Sequence, residues 1–425
     1  MRIAIIGSGI AGNVAAHHLH REHDITVYEA GSHAGGHTHT HEVEQGGRSY
    51  AVDTGFIVFN DWTYPNFIAL LDELGVGWQE SRMSFSVRDE ASGLEYSGTT
   101  LNTLFAQRMN LLRPSFLGMV RDILRFSREA PVLLGQPGGE LPLREVLERG
   151  GYGRAFVRRY IVPMGAAIWS TSPEAMLRFP ARFFIRFLHN HGMLSVNERP
   201  VWRVIRGGST RYVEKLVAPF RDRIRLRAPV EWIRRLPGQV IVKTRDGVAE
   251  RFDAVFVACH SDQALRLLAD PAQSEREVLG TIPYQENEAV LHTDSRLLPR
   301  KRLAWAAWNY HVLPEARERV ALTYNMNILQ GLEAPEPFLV TLNRSDAVDP
   351  AKVLRRITYH HPLFTPAGVA AQARQAELNR GRRTYYCGAY WRNGFHEDGV
   401  VSALAALAHF REDIGHAQRP VHRVA

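Results

Sequence analysis

Residues 3–6, Ile-Ala-Ile-Ile, form an unbroken apolar run that halts at Gly7, and glycines recur at positions 9 and 12. A run without polar alternation suits a strand covered on both faces, so residues 2–6 are expected to form a buried parallel strand. Gly7 then makes a tight turn, Gly9 lets the backbone approach a phosphate, and Gly12 lets the following helix pack closely. The helix N-terminus faces the same anion, because its dipole and free amides favour negative charge there. A second apolar run, residues 24–28, ends on Glu29. That acid lies about 20 positions beyond Gly7, where a ribose-binding carboxylate is expected.

The pattern continues through a Gly-His-Thr loop over 31–40, a strand, and a helix over 65–74. From about 102 to 190 apolar residues recur at helical spacing, with Pro114, Pro131, Pro142, Pro163, Pro173 and Pro180 separating the helices. The period then drops to two. Residues 224–227, 230–233, 240–244 and 252–258 read as strands, with Asp246-Gly247 as a hairpin turn, followed by a helix over 263–268. Residues 289–342 are strand-rich, with 304–310, 320–325 and 338–342 as candidates. A strand over 383–389, a loop over 390–399 and an apolar helix over 400–410 follow. This order predicts an α/β nucleotide-binding fold interrupted by a substrate-binding insert, with the chain returning late to complete the first site.

Composition changes that picture little. The 425 residues, 45% hydrophobic and 23% charged, are ordinary for a globular chain and enough for two domains. No apolar stretch approaches the ~18 residues that span a bilayer, and the opening run carries glycines instead of a cleavage site, so neither an anchor nor a signal peptide is expected. Two cysteines, Cys259 and Cys387, are too few for a disulfide framework and suggest a cytoplasmic address. The net charge of +8 is almost all arginine, and no nucleic-acid motif accompanies it. It reads either as a diffuse basic surface or as attraction to the anionic inner face of a membrane. Residues 101–134 bear on that choice. Phe105, Met109, Leu112, Phe116, Met119, Ile123 and Phe126 recur there at helical spacing among arginines. Such a stripe reads as core, or as a helix pair that guards an apolar tunnel or lies on a membrane with arginines meeting phosphates. Nothing in the sequence sets an oligomeric state.

Further motifs follow the opening fingerprint in order: Gly35-Gly36-His37, Asp53-Thr54-Gly55, Gly207-Gly208-Ser209, Cys387-Gly388, and Gly394-Phe395-His396-Glu397-Asp398-Gly399. In this order they resemble the flavin-containing amine oxidase superfamily, which includes protoporphyrinogen oxidases and phytoene-type desaturases. More narrowly, the chain is similar to bacterial proteins described as NAD/FAD-binding or FAD-dependent oxidoreductases and discussed alongside cyclopropane-type fatty-acid modification. The resemblance covers nearly the whole chain. It implies a Rossmann-like FAD-binding domain over 1–80, 200–275 and 375–425, with an inserted, discontinuous α+β substrate domain over 81–199 and 276–374. It further implies that Gly7, Ser8, Gly9, Ala11 and Gly12 hold the FAD pyrophosphate and that Glu29, followed by Ala30, holds the adenosine ribose. Gly35 and Gly36 would admit the dinucleotide, Asp53, Thr54, Gly55 and Phe56 would pass beside the isoalloxazine, and Val230 would meet the adenine. Gly388, Glu397 and Asp398 would close the site, with a helix beginning near Gly399 aimed at the cofactor. Taken alone, Asp53-Thr54-Gly55 would be a turn and Glu397-Asp398 an acidic first helical turn that stabilises its own dipole.

Two departures from the family pattern matter. His37 stands where the family commonly has arginine, which weakens one charge-assisted phosphate contact. Amine oxidases typically present a lysine near the flavin from a substrate-domain strand, yet residues 284–294 hold Glu286, Glu288 and His292 and no lysine. Lys301, in a loop after Pro299, is the nearest substitute. Phe395 stands where one of the aromatic residues flanking the ring is expected, with Tyr390 and Trp391 just before it, and is read as a wall. The histidines at 37–41 and 360–361 lack the carboxylate or thiol that would complete a metal set, so no metal is expected. His189 and His191, beside Phe183 and Phe184, read as satisfied structural histidines or as the polar end of an apolar pocket.

These features imply an FAD-dependent oxidoreductase abstracting hydride from an apolar, lipid or fatty-acyl substrate in the manner of a desaturase. Oxidation of a small amine is a second reading, and a flavin-binding scaffold at the membrane without turnover is a third.

Overall fold

The computed structural model describes residues 1–135, 141–195, 198–315 and 318–415. Its first sheet has five parallel strands in the spatial order Ile224–Arg225, Asp24–Tyr28, Arg2–Ile6, Ala254–Val257 and Thr384–Tyr386. The opening strand is central and buried on both sides, as its unbroken apolar run requires. Ile3 and Ile5 point into one apolar cluster with the helices Ile10–Leu19 and His396–Asp413. Ala4 and Ile6 point into another, under the antiparallel sheet of Val230–Leu236, Gln239–Thr244 and Ala249–Phe252. Ala254, Phe256, Val255 and Val257 alternate between the same two clusters.

The 252–258 run does not form one strand. Asp253 exchanges hydrogen bonds with Arg2, its carboxylate accepting the Arg2 amide at 2.8 Å and its own amide reaching the Arg2 carbonyl. The chain changes sheets at that residue.

The second large sheet has seven strands, in the order Val353–Pro362, Tyr284–His292, Leu339–Leu342, Leu322–Asn325, Trp308–Val312, Phe85–Asp89 and Leu94–Ser97. Its pairs are antiparallel except 308–312 with 85–89. Helices over residues 101–190 cover it and share a core of Phe116, Phe126, Phe156, Trp169, Phe184 and the strand residues Val87, Leu291 and Val340. Every strand of the parallel sheet falls within 1–80, 200–275 or 375–425, and every strand of the seven-stranded sheet within 81–199 or 276–374.

Other expectations shift at their edges. Residues 304–307 are not strand, because a short helical turn over Arg302–Ala304 precedes Trp308. The last helix begins at His396, three residues before Gly399, because Asp398 accepts the Phe395 amide at 2.9 Å and closes the first turn.

Candidate functional site

A cavity of about 800 Å³ runs from the end of the opening strand to the seven-stranded sheet. Its near end is built by the glycine turn. Gly7 has a φ of +100°, and a Cβ built on Gly12 would lie 1.9 Å from the Gly7 carbonyl oxygen, so the turn and the helix close together only without side chains. Gly9 caps the 10–19 helix with no side-chain acceptor and no acid in the first turn. The amides of that turn face the cavity and suit an anion. A Cβ on Gly9 would meet nothing within 4 Å, which leaves that wall open to a close-lying ligand. Glu29 is fixed beside it: Oε2 accepts the Ser8 amide at 2.9 Å and the Ser8 hydroxyl at 2.6 Å, and Oε1 accepts the Gly31 amide at 2.7 Å.

Of the residues expected at the cofactor, Gly7, Gly9, Ala11, Glu29, Ala30, Gly35, Gly36, His37, Gly55, Phe56, Val230 and Gly388 line this cavity. Ser8 and Gly12 stand behind the wall, one orienting Glu29 and the other packing the helix.

Four residues are placed elsewhere. Asp53 is buried away from the cavity, where it accepts from Thr40 Oγ1 at 2.6 Å, the Ser209 amide at 2.9 Å and hydroxyl at 2.8 Å, and Gln330 Nε2 at 3.0 Å. The Gly207-Gly208 turn exists to bring Ser209 to it, since both glycines have positive φ and a Cβ on Gly208 would strike Thr40. Thr54 shares a hydrogen bond with the Tyr359 hydroxyl at 2.8 Å. Glu397 accepts from the amides of Asn66 and Phe67, and Asp398 closes its own helix. Both acids are drawn inward because the helix starts at His396, and they line a neighbouring cavity instead.

His37 is a neutral group. Burial lowers its pKa to about 4, its ring stacks on Tyr359 at 5.0 Å, and its Nε2 has no hydrogen-bond partner. His260 and His361 line the same wall, held at about 3 mainly by burial. Positive charge at the wall comes from Arg245 and Arg266. Among the described residues no group of three His, Cys, Asp or Glu side chains is arranged to hold a metal ion.

The far end is aromatic. Phe395, Trp169, Trp308, Tyr324, Phe364 and Tyr390 line it, with Phe56 stacked on His396 at 3.5 Å and 9°. His396 is fixed by the Tyr212 hydroxyl at 2.5 Å, and burial holds its imidazole neutral. Sequence reasoning singled out Phe395 and missed Trp169, Trp308, Tyr324, Tyr284, His260 and His396, which the topology brings together from separate segments. His360 and His361, which form no metal set among the described residues, also line this cavity.

Lys301 lies outside both cavities, an exposed residue whose amide donates to Glu95 at 3.0 Å. Cys387 is sealed in the core behind the wall, and Cys259 reaches the wall with its thiol pushed up to about 12 by burial.

A second cavity of about 620 Å³ shares Tyr64 and Phe395 with the first. Phe183, Phe187, Trp391, Arg182, Arg186 and Arg392 are among its walls. His191, at its edge, stacks on Phe187 at 3.8 Å and bonds Thr63 at 3.2 Å, whereas His189 is exposed.

The model of the flavin-containing amine oxidoreductase family matches residues 10–302. The chain belongs to that family. It is a flavin-dependent oxidoreductase, and its cofactor is FAD. Solved structures share the fold at low identity. Cyclohexylamine oxidase from Brevibacterium oxydans is 15% identical, with 97% of this chain and 99% of that chain covered and a TM-score of 0.70. The CLA-producing fatty acid isomerase from P. acnes is 18% identical, covering 95% and 96%, with a TM-score of 0.67. A protein from Exiguobacterium sp. assigned as a protoporphyrinogen oxidase is 18% identical, covering 98% and 99%, with a TM-score of 0.69. No curated protein matches the chain. The first cavity suits the family's cofactor: an uncapped helix end and an open Gly9 wall face one elongated space.

Proposed function

We propose that this enzyme oxidises an apolar, lipid or fatty-acyl substrate held in the second cavity against Phe395. FAD, when bound, accepts the electron pair of a substrate C–H bond as hydride. Gly7, Gly9 and Ala11 would hold its pyrophosphate through backbone amides, Glu29 its ribose, Val230 its adenine, and Gly55, Phe56 and Gly388 the segment beside the ring. This assignment divides the chain into the cofactor and substrate segments given above.

The observation that carries the reading is the second cavity. It meets the first across Phe395, is walled by Phe183 and Phe187, and has arginines at 182 and 186 on the same helix. An aromatic wall excludes water and gains by covering methylenes, at about 0.8 kcal/mol for each one buried. The guanidinium groups suit an acidic head group. The substrate-domain strand Tyr284–His292 carries no lysine, and the exposed Lys301 lines neither cavity. A fatty acid isomerase among the structural relatives is in keeping with this reading.

Anaerobic mixing of the holoenzyme with fatty acids and phospholipid extracts tests it through the loss of oxidised-flavin absorbance. Bleaching by a lipid fraction is expected. Reduction by cyclohexylamine or putrescine with none by any lipid would favour amine oxidation instead, and no reduction by either class would overturn the lipid reading.

A further inference from the structure

Seven of the fourteen exposed large apolar side chains of the described residues fall in one stretch: Leu101, Met109, Leu111, Leu112, Leu117, Leu124 and Val132. The stretch comprises the short helix Leu101–Leu104, a helical turn Arg108–Leu112, the helix Pro114–Glu129 and a turn Ala130–Gly135. The 114–129 helix already buries one apolar face, with Phe116, Met119 and Phe126 in the core. Its outer face would ordinarily be polar. Instead Leu117, Arg121, Leu124 and Arg128 alternate along it at spacings of four, three and four, all exposed. Leu112 is 74% exposed and Leu101 77%.

The charge around these side chains is mainly positive, with Glu129 the one exposed acid of residues 101–135. Arg108, Arg113, Arg121 and Arg128 are exposed, and Arg125 lies over the Tyr152 ring at 4.0 Å. Of the two acids, Asp122 is buried and holds the Gly153 amide at 2.8 Å, and Glu129 accepts from the Tyr152 hydroxyl. Apolar tips interleaved with guanidinium groups match a bilayer interface, where the tips enter the acyl boundary and the cations meet phosphates. A second copy of the same face would bring like charges together. Among the described residues no helix is long and apolar enough to cross a membrane, so such contact would be peripheral.

We infer that residues 101–132 dock this enzyme on an anionic lipid surface. The turn Ala130–Gly135 packs against the helix Ala181–Asn190, which supplies Phe183 and Phe187 to the second cavity. The docked face therefore adjoins the wall of the proposed substrate site, although docking does not depend on what that site oxidises.

Cosedimentation of the holoenzyme with phosphatidylcholine vesicles, with and without phosphatidylglycerol, at low and high salt tests the inference. Binding is expected only to anionic vesicles and should weaken with salt. Replacing Arg113, Arg121 and Arg128 together by glutamine should weaken it on the order of 100-fold. Leu111→Ser with Leu112→Ser should also weaken it, with flavin absorbance and melting temperature unchanged. Absence of binding at low salt, equal binding by the variants, or a solution dimer that the serine variant dissociates would each overturn the inference.

Discussion

Glu397 and Asn66 are joined twice, the Asn66 amide at 3.1 Å and its side-chain nitrogen at 2.6 Å meeting the same carboxylate oxygen, while the other oxygen takes the Phe67 amide at 2.8 Å. The helix Pro65–Glu73 has no side-chain cap of its own. A carboxylate from the first turn of the last helix thus satisfies its orphan amides and complements its dipole. Glu397→Ala should cost about 1–3 kcal/mol, since buried donors are left without acceptors. Glu397→Gln, which keeps one oxygen, should cost less. Thermal melts of the flavin-free proteins check this ordering, and an alanine variant as stable as the parent would contradict it.

Gly9 and Gly12 separate cofactor binding from folding. A Cβ at Gly9 meets no protein atom within 4 Å, and its backbone is extended at φ −68°, which any residue adopts. Gly9→Val should therefore fold and melt normally without flavin, yet lose FAD affinity by on the order of 100-fold or more, because the side chain occupies the ligand's space. Gly12→Val places atoms against the Gly7 carbonyl and should fail to fold stably. Isothermal titration with FAD beside flavin-free melts distinguishes the two. A Gly9→Val protein with parental affinity would place the pyrophosphate elsewhere.

The parts legible in the sequence were those fixed locally. The opening strand, its glycines and Glu29 are set by short spacings, because an uninterrupted apolar run has few alternatives to a doubly covered strand. The strand Val353–Pro362 escaped notice because Arg355, Arg356, His360 and His361 break its alternation, and most of its side chains are only half-buried. Its pairing with Tyr284–His292 was equally invisible, since register is settled by the partner. The site divides the same way. Backbone cradles announce themselves as glycine, whereas Trp169, Trp308 and Tyr324 become one wall only when three distant segments meet. Asp53 and Glu397 were drawn to the cofactor by motif order, but each solves a local hydrogen-bonding problem in the scaffold.

Acid should destabilise the protein through its neutral histidines. Burial holds His37, His191 and His292 at about 4 and His260 and His361 at about 3, below the ~6.5 of a free imidazole. A base with a depressed folded-state pKa binds fewer protons when folded, so stability is lost as pH falls from about 6.5 towards 3–4. Asp53 and Asp398, raised by burial to about 6 and 7, work the other way. Burial also holds His39 at about 4, lowers His41, His311 and His396, and raises Glu397, so nine bases against three acids give a net loss. Melting temperature of the flavin-free chain should fall steadily from pH 7 to pH 4.5, and a flat or rising profile would contradict the burial of these rings.

Asp53→Asn probes the knot among Thr40, Ser209 and Gln330. An amide oxygen can replace the oxygen that serves Thr40 and Ser209, but the amide nitrogen then faces Gln330 Nε2, donor against donor, at a cost of about 1–3 kcal/mol. The cost should depend on pH. Burial raises the Asp53 carboxyl to about 6, above the ~3.9 of the unfolded chain, so its contribution is full below about pH 3.9 and is lost as pH rises through 6. Asparagine has no such titration. The gap in melting temperature between parent and variant should therefore be wider at pH 5 than at pH 8. FAD affinity should stay within a few-fold of the parent, because Asp53 does not reach the cavity. A variant with parental stability and lost flavin would return Asp53 to the cofactor site.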